Sequence, residues 1–324
     1  MIELININKS YKVQNRRTGL VGVVKDLILP TYSKIDALSN INLRIEKGEH
    51  VGIVGKNGSG KSTLTKIISS ILRPTSGIIK FEGELISNDI KRYKRSIALM
   101  FGQRSQLYFN MAFLESIELF RLMYGVSKSD AKKRIDFLIE SLSLKDLLKK
   151  SIREMSLGQR MRCEIAIILL HQPKIIFLDE PTIGLDVEVK EQFYSLIKDY
   201  TNKTEATLIL ISHDVSDIVN LSNRLLLLDN GFLKEDIETS KFISTHNSSK
   251  IVELSFYNRS ELERVKGFSV VDIDKLNNTL SILVDKDLSV IELLEQMENR
   301  DTIKNISVRD QDFKSVLLNY YRSK

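Results

Sequence analysis

The sequence predicts an α/β core followed by a small α+β domain, and three observations carry that prediction. An apolar run, Val51-Gly52-Ile53-Val54, leads through a glycine-rich loop into the helical pattern Leu64-Thr65-Lys66-Ile67-Ile68. Two more apolar runs, Ile175-Ile176-Phe177-Leu178 and Leu208-Ile209-Leu210-Ile211, are continuous rather than alternating and stop at polar residues. That is how strands buried on both faces of a parallel sheet read. Beyond residue 250, short strand-like runs and short helical ones follow each other in a βαββαβ order, compatible with a ferredoxin-like sandwich.

Composition sets the class. With 42% hydrophobic and 28% charged residues among 324, the chain reads as globular. Its strongest apolar runs, such as Ile165 to Leu170, fall far short of the ~18 residues a membrane-crossing helix needs. Met1-Ile2-Glu3-Leu4 alternates like a strand and lacks the charged-then-apolar pattern of a secretory signal. The one cysteine, Cys163, excludes a disulfide framework, suits a reducing cytoplasm and sits in an apolar helical stretch that favours packing. A net charge of +6 raises nucleic acid as a partner. Residues 246–324 are nearly neutral, however, and the basic first part has no aromatic-rich basic stripe. A membrane surface or an acidic partner fits it at least as well.

The loop itself, Gly55-Lys56-Asn57-Gly58-Ser59-Gly60-Lys61-Ser62-Thr63, reads G-x-x-x-x-G-K-[ST]. Its glycines permit backbone angles that turn successive N–H groups toward phosphate oxygens, and the following helix adds its positive end. Lys61 is placed to reach the β- and γ-phosphates of a nucleotide and the Ser62 hydroxyl to hold Mg²⁺. Further along, Asp179-Glu180 ends a buried run, so both acids emerge at the carboxyl edge of the sheet, where ligands bind. Asp179 would hold Mg²⁺ through water, and Glu180 would polarise the attacking water as a general base.

Other signals keep a fixed order around these. Phe101-Gly102-Gln103 follows the strand Ser96-Ile97-Ala98-Leu99-Met100, and Met155-Ser156-Leu157-Gly158-Gln159-Arg160 opens a helix running to Leu170. Ile183-Gly184-Leu185-Asp186 and Ser212-His213-Asp214 come after. Together, over about residues 1–235, they resemble the nucleotide-binding subunit of an ATP-binding-cassette (ABC) transporter. The resemblance implies a P-loop NTPase cassette with a RecA-like core, an antiparallel β subdomain and a helical subdomain. It implies that ATP is bound by the 55–63 loop and hydrolysed at Glu180, with Gln103 in the Mg²⁺ and water network and His213 on the γ-phosphate. Ser156, Gly158 and Gln159 match the family signature, which departs here at Met155 and Leu157. In the family they contact ATP held by the opposite subunit, which implies a homodimer or heterodimer with Asp186 at its seam.

The segment between Gln103 and Met155 shows helical spacing in Phe113 to Phe120 and Ala131 to Ile139. This matches the family's helical subdomain, which docks on integral-membrane permease subunits. It leaves no room for the coiled-coil arms of the chromosome-maintenance relatives. Tyr11, at the end of a strand from Glu3 to Ser10, is the candidate for stacking on adenine, with Tyr32 as its rival. An insertion at about 14–34 carries Arg16 and Arg17, then Leu20, Val21, Val23, Val24, Leu27 and Ile28, one face of a short helix ended by Pro30. It is either a surface helix packed on its own domain or a contact with membrane or permease. Similar insertions occur in polysaccharide and teichoic-acid exporter subunits.

The expected domains are therefore a cassette over 1–240, a linker over 241–250 rich in Ser, Thr, Asn and His, and an accessory domain over 251–324 that dimerises or regulates. The insertion, with Gly102-Gln103-Arg104-Ser105-Gln106-Leu107 and Ser156 to Glu164, resembles a subgroup of ABC-2-type export ATPases. The expected protein is a cytoplasmic ATPase, peripheral on the inner face of the membrane, that powers a separately encoded permease. No nucleic acid is expected. The alternative is a soluble ABC ATPase acting on ribosomes or nucleic acid, although ribosomal relatives carry two cassettes and this chain has one.

Overall fold

The computed structural model describes residues 1–15, 30–101, 105–246, 249–264, 268–297 and 300–311, with 313, 316, 317 and 320. The chain divides into two units, Met1–Glu238 and Thr239–Lys324.

The first unit contains two sheets. Strands β1 (Ile2–Asn15), β2 (Thr31–Ile45), β4 (Ser76–Phe81) and β5 (Glu84–Leu85) form an antiparallel sheet in the order β2-β1-β4-β5. The other sheet uses β3 (His50–Gly55), β6 (Ile97–Phe101), β7 (Ile175–Asp179), β8 (Thr207–Ile211), β9 (Arg224–Asp229) and β10 (Phe232–Glu238). Its order is β10-β9-β3-β8-β7-β6, parallel except for β10 against β9.

Burial explains the two kinds of strand. β8 is buried at all five residues and β7 at four of five, because both faces of the parallel sheet are covered. β1 alternates instead, sending Ile2, Leu4 and Ile7 inward. Those side chains and Leu38, Ile41, Leu43 and Ile45 of β2 share one core with Ile53, Ile209 and Ile211 and with Leu64, Ile67 and Ile68 of helix Lys61–Ile68. Between β6 and β7 the chain forms helices Phe113–Tyr124, Lys128–Ser141 and Leu157–Leu169. The first two stand where helical spacing predicts them. Phe113–Tyr124 stops at Gly125, whose φ of 68° is left-handed, and Ser127 caps the next helix by accepting from the Asp130 N–H.

The N-terminal insertion needs correcting at both ends. β1 does not stop at Ser10: it runs to Asn15 in antiparallel register with β2, pairing Tyr11 with Ile35 and Gln14 with Tyr32. Residues 14, 15 and 31–34 are therefore ladder rather than insert. Pairing between strands tens of residues apart leaves no local sequence signal, which is why sequence alone draws the insertion too wide. The helix expected over Leu20 to Ile28 lies outside the described residues.

The second unit is an antiparallel sheet of β11 (Ser249–Phe256), β12 (Ser269–Asp274), β13 (Thr279–Asp285) and β14 (Ile303–Asp310), ordered β12-β13-β11-β14. Val252, Leu254, Phe256, Leu280, Ile282 and Val284 line its core with Leu262, Leu293 and Met297. Between the strands lie a 3₁₀ helix, Arg259–Arg264, and a short α-helix, Val290–Glu295, behind the cap Ser289. The 241–250 linker is not a linker. Its first part belongs to helix Thr239–His246, and β11 starts at Ser249. Phe242 is fully buried, its ring 5.7 Å from that of Phe313 and 5.6 Å from that of Tyr320. One large aromatic with ring partners outweighs the polar composition around it.

Because each unit has its own apolar core, a chain ending at Glu238 should unfold in one cooperative transition and retain nucleotide binding. Thermal unfolding with and without ATP checks this. A broad, non-cooperative melt would show that the second unit is integral to the first.

Candidate nucleotide site

Parallel register assembles the site. β7 and β8 pair Asp179 with Ile211, and β3 and β8 pair Ile53 with Ile211, so three strands end side by side. The loop leaving β3 and the residues leaving β7 and β8 enclose a cleft of about 370 Å³. It is lined by Asn57 to Thr63 on one side and by Asp179, Glu180 and His213 on the other.

The loop holds its shape through Gly60, whose φ is 106° and where a side chain would meet the Ala37 carbonyl at 2.7 Å. Lys61 is buried, and its Nζ donates to the Gly55 carbonyl at 2.7 Å and the Lys56 carbonyl at 3.0 Å. Burial lowers the Lys61 ammonium pKa below its ordinary value, and Glu180 and Asp179 pull it back up. The acids show the converse. Burial raises the Asp179 carboxyl against Lys66, Lys61 and His213, and raises Glu180 against a hydrogen bond from the His213 backbone.

Glu180 is held from several directions. Its backbone is left-handed, with φ 52°, which disfavours any residue with a Cβ. Its N–H donates to the Ile211 carbonyl at 2.8 Å. Its Oε1 accepts the His213 backbone N–H at 2.9 Å, while His213 Nε2 lies 3.9 Å from the same oxygen and the side chain is 57% exposed.

The remaining expected residues lie elsewhere. Ser156 caps helix Leu157–Leu169 in a reciprocal box with Gln159: its hydroxyl accepts the Gln159 N–H at 3.3 Å, and Gln159 Oε1 accepts the Ser156 N–H at 3.1 Å. Asp186 caps helix Val187–Thr204 by accepting the Val189 N–H at 2.9 Å. A Cβ at Gly158 would touch Val189, and one at Gly184 would touch Leu157, so the two caps are neighbours, and neither lines the cleft. Of the signature departures, Met155 is buried against Cys163 and Leu157 is half-exposed. Tyr11 and Tyr32, 38% and 59% exposed, sit on the β1–β2 ribbon, and the β2 residue that lines the cleft is Ala37. Gln103 lies outside the described residues.

Sequence reasoning missed Asp217. It lies 1% exposed on helix Val215–Leu221 and accepts hydroxyl hydrogen bonds from Thr182, Tyr194 and Ser212 at 2.7, 2.7 and 2.6 Å. The available signal was an acid within the short apolar-spaced helix that follows His213.

The ABC transporter family profile matches residues 38–183. The chain is 31% identical to the ABC transporter ATP-binding protein NatA of Bacillus subtilis, covering 71% of this chain and 92% of that one. It is 28% identical to a methionine import ATP-binding protein of Bacillus cereus over 88% of this chain and 76% of the relative, a share that reaches past Glu238. Among solved structures, a dimeric ATP-binding cassette in a post-hydrolysis state bound to ADP and Pi superposes with a TM-score of 0.60 at 27% identity. That match covers 74% of this chain and 98% of the other.

Gly60→Ala should remove nucleotide binding, since the new methyl must displace the Ala37 main chain in a backbone region that adds about 1–3 kcal/mol of strain. Equilibrium binding of a fluorescent ATP analogue checks it. Binding within twofold of wild type would refute this account of the loop.

Proposed function

Since the chain belongs to the ABC transporter family of ATP-binding proteins and is an ATPase, we propose that it powers export through separately encoded permease subunits. The observation that carries the reading is the meeting of Lys61, Asp179, Glu180 and His213 in one cleft. Lys61 and the loop N–H groups bind the phosphates. Glu180, fixed by its bond from the His213 N–H, takes a proton from the water that attacks the γ-phosphate. The His213 ring contacts that phosphate. Ser62 and Asp179 are hard oxygen donors suited to Mg²⁺, and Gln103 completes the set. No cluster of three or more His, Cys, Asp or Glu forms a metal site by itself among the described residues. Such an ion would be held jointly with the substrate phosphates, whose charge it would neutralise.

Ser156, Gly158, Gln159 and Asp186 serve a partner's nucleotide, because their shared surface stands outside this chain's own cleft. The dimeric state of the matched cassette supports that reading. The chain sits at the inner face of the membrane through contact with its permease, and among the described residues no helix is long and apolar enough to cross a membrane. Export rests on the subgroup resemblance carried by the N-terminal insertion, the stretch Gly102 to Leu107 and the stretch Ser156 to Glu164. We read Thr239–Lys324 as a ferredoxin-like accessory domain that dimerises or regulates.

Glu180→Gln should lower turnover by about 10²–10⁴-fold while Mg–ATP binding survives. The same variant should shift from monomer to dimer on adding ATP, and adding Ser156→Arg should abolish the shift. ATPase assays and sedimentation check both, and unimpaired hydrolysis by Glu180→Gln would mean that another group is the base. The wild-type pH profile gives a second check. Burial lifts the Glu180 carboxyl above its ordinary 4.5. Turnover should therefore disappear as pH falls through a value above 4.5, where the base becomes protonated, and that acid limb should be missing from the residual activity of Glu180→Gln.

A further inference from the structure

We propose that Asp217 is a positioning residue for ATP hydrolysis, holding Glu180 and His213 in place from beneath the cleft. The proposal rests on the roles assigned to those two residues above. Thr182 lies two residues beyond Glu180, and Ser212 immediately precedes His213. Both donate to the one buried carboxylate: Thr182 Oγ1 to Oδ1 at 2.7 Å and Ser212 Oγ to Oδ2 at 2.6 Å. Tyr194 Oη donates to Oδ1 at 2.7 Å from helix Val187–Thr204, anchoring the carboxylate to the helix that Asp186 begins.

Three features make this more than a satisfied core acid. A buried carboxyl group is tolerated only when its oxygens are hydrogen-bonded, and three short bonds satisfy those of Asp217. Asp217 therefore pins its three donors firmly. The Ser212 hydroxyl also accepts the Asp214 N–H at 2.9 Å, which leaves its proton directed at Asp217. Asp214 in turn pairs with Lys190 of the same long helix and caps the Asp217 helix through the Ser216 N–H at 2.8 Å. Finally, Glu180 keeps its left-handed backbone only if its neighbours over-determine it. The bond to the Ile211 carbonyl restrains it at its own N–H, and the Thr182–Asp217 bond restrains the chain two residues on.

The test uses the full chain and five variants, Glu180→Gln among them. Ser212→Ala and Thr182→Val each delete one arm of the hub, and Thr182→Ser keeps the hydroxyl. Thr201→Val is a control that removes a buried hydroxyl bonded only to main-chain carbonyls of helix Val187–Thr204. Steady-state ATPase kinetics and thermal unfolding are measured for each. Ser212→Ala and Thr182→Val should lose about tenfold to a hundredfold in kcat with KM for ATP within twofold, the pattern of a displaced catalytic group. Thr182→Ser should stay within threefold of wild type. Thr201→Val should lose a comparable amount of Tm with kcat within twofold. If kcat in the arm variants falls only as Tm falls in the control, or does not fall, the proposal is wrong. Glu180→Gln assayed alongside separates the two failures. If it is inactive while the arm variants are active, only the hub falls; if it is active, the base assignment falls as well.

Discussion

The site depends on parallel hydrogen-bond register. β3, β8 and β7 run the same way and end at one edge, so a loop near residue 58, two acids near 180 and a histidine at 213 converge without being close in sequence. The ladder can hold that edge because both faces of its strands are covered. The antiparallel sheet and helix Lys61–Ile68 share one continuous core with it. Apolar burial at roughly 25 cal/mol per Å² is distributed over that core, while the chemistry is confined to its rim.

The rim is under electrostatic tension. Lys61, Asp179 and Glu180 are each partly stripped of water, and burial moves every one of their protonation equilibria toward the neutral form. Around Lys61 and Asp179, nearby opposite charges oppose that shift. Such a set of pre-oriented charges needs little rearrangement when charge develops on a transferring phosphoryl group. Below the cleft the order continues as hydrogen bonding, with three hydroxyls donating to the Asp217 carboxylate.

What could be read from the sequence follows from locality. The phosphate loop, the Asp179-Glu180 pair and the helix that follows Met155-Ser156 were legible because strand, turn and helix signals adjoin them within a few residues. The long β1–β2 ladder was not, since Gln14 meets Tyr32 across a segment that has the composition of an insert. Helix Thr239–His246 was hidden by its serines and threonines, because the Phe313 and Tyr320 rings that bury Phe242 come some seventy residues later. Asp217 escaped for the same reason: Thr182 and Tyr194 lie 35 and 23 residues away, and the helix that carries the acid does not announce those partners.

The tether between Glu180 and His213 runs through the histidine's main chain, not its imidazole. The anchoring contribution of position 213 is therefore indifferent to which side chain stands there, proline excepted. The ring and the amide are separable parts of one residue, one open to solvent, the other committed to the fold. A family of such cassettes could exchange the ring without loosening the carboxylate beside it. Side-chain deletion at 213 thus measures the imidazole alone, a clean separation that the Glu180 carboxylate, anchored through its own side chain, does not permit.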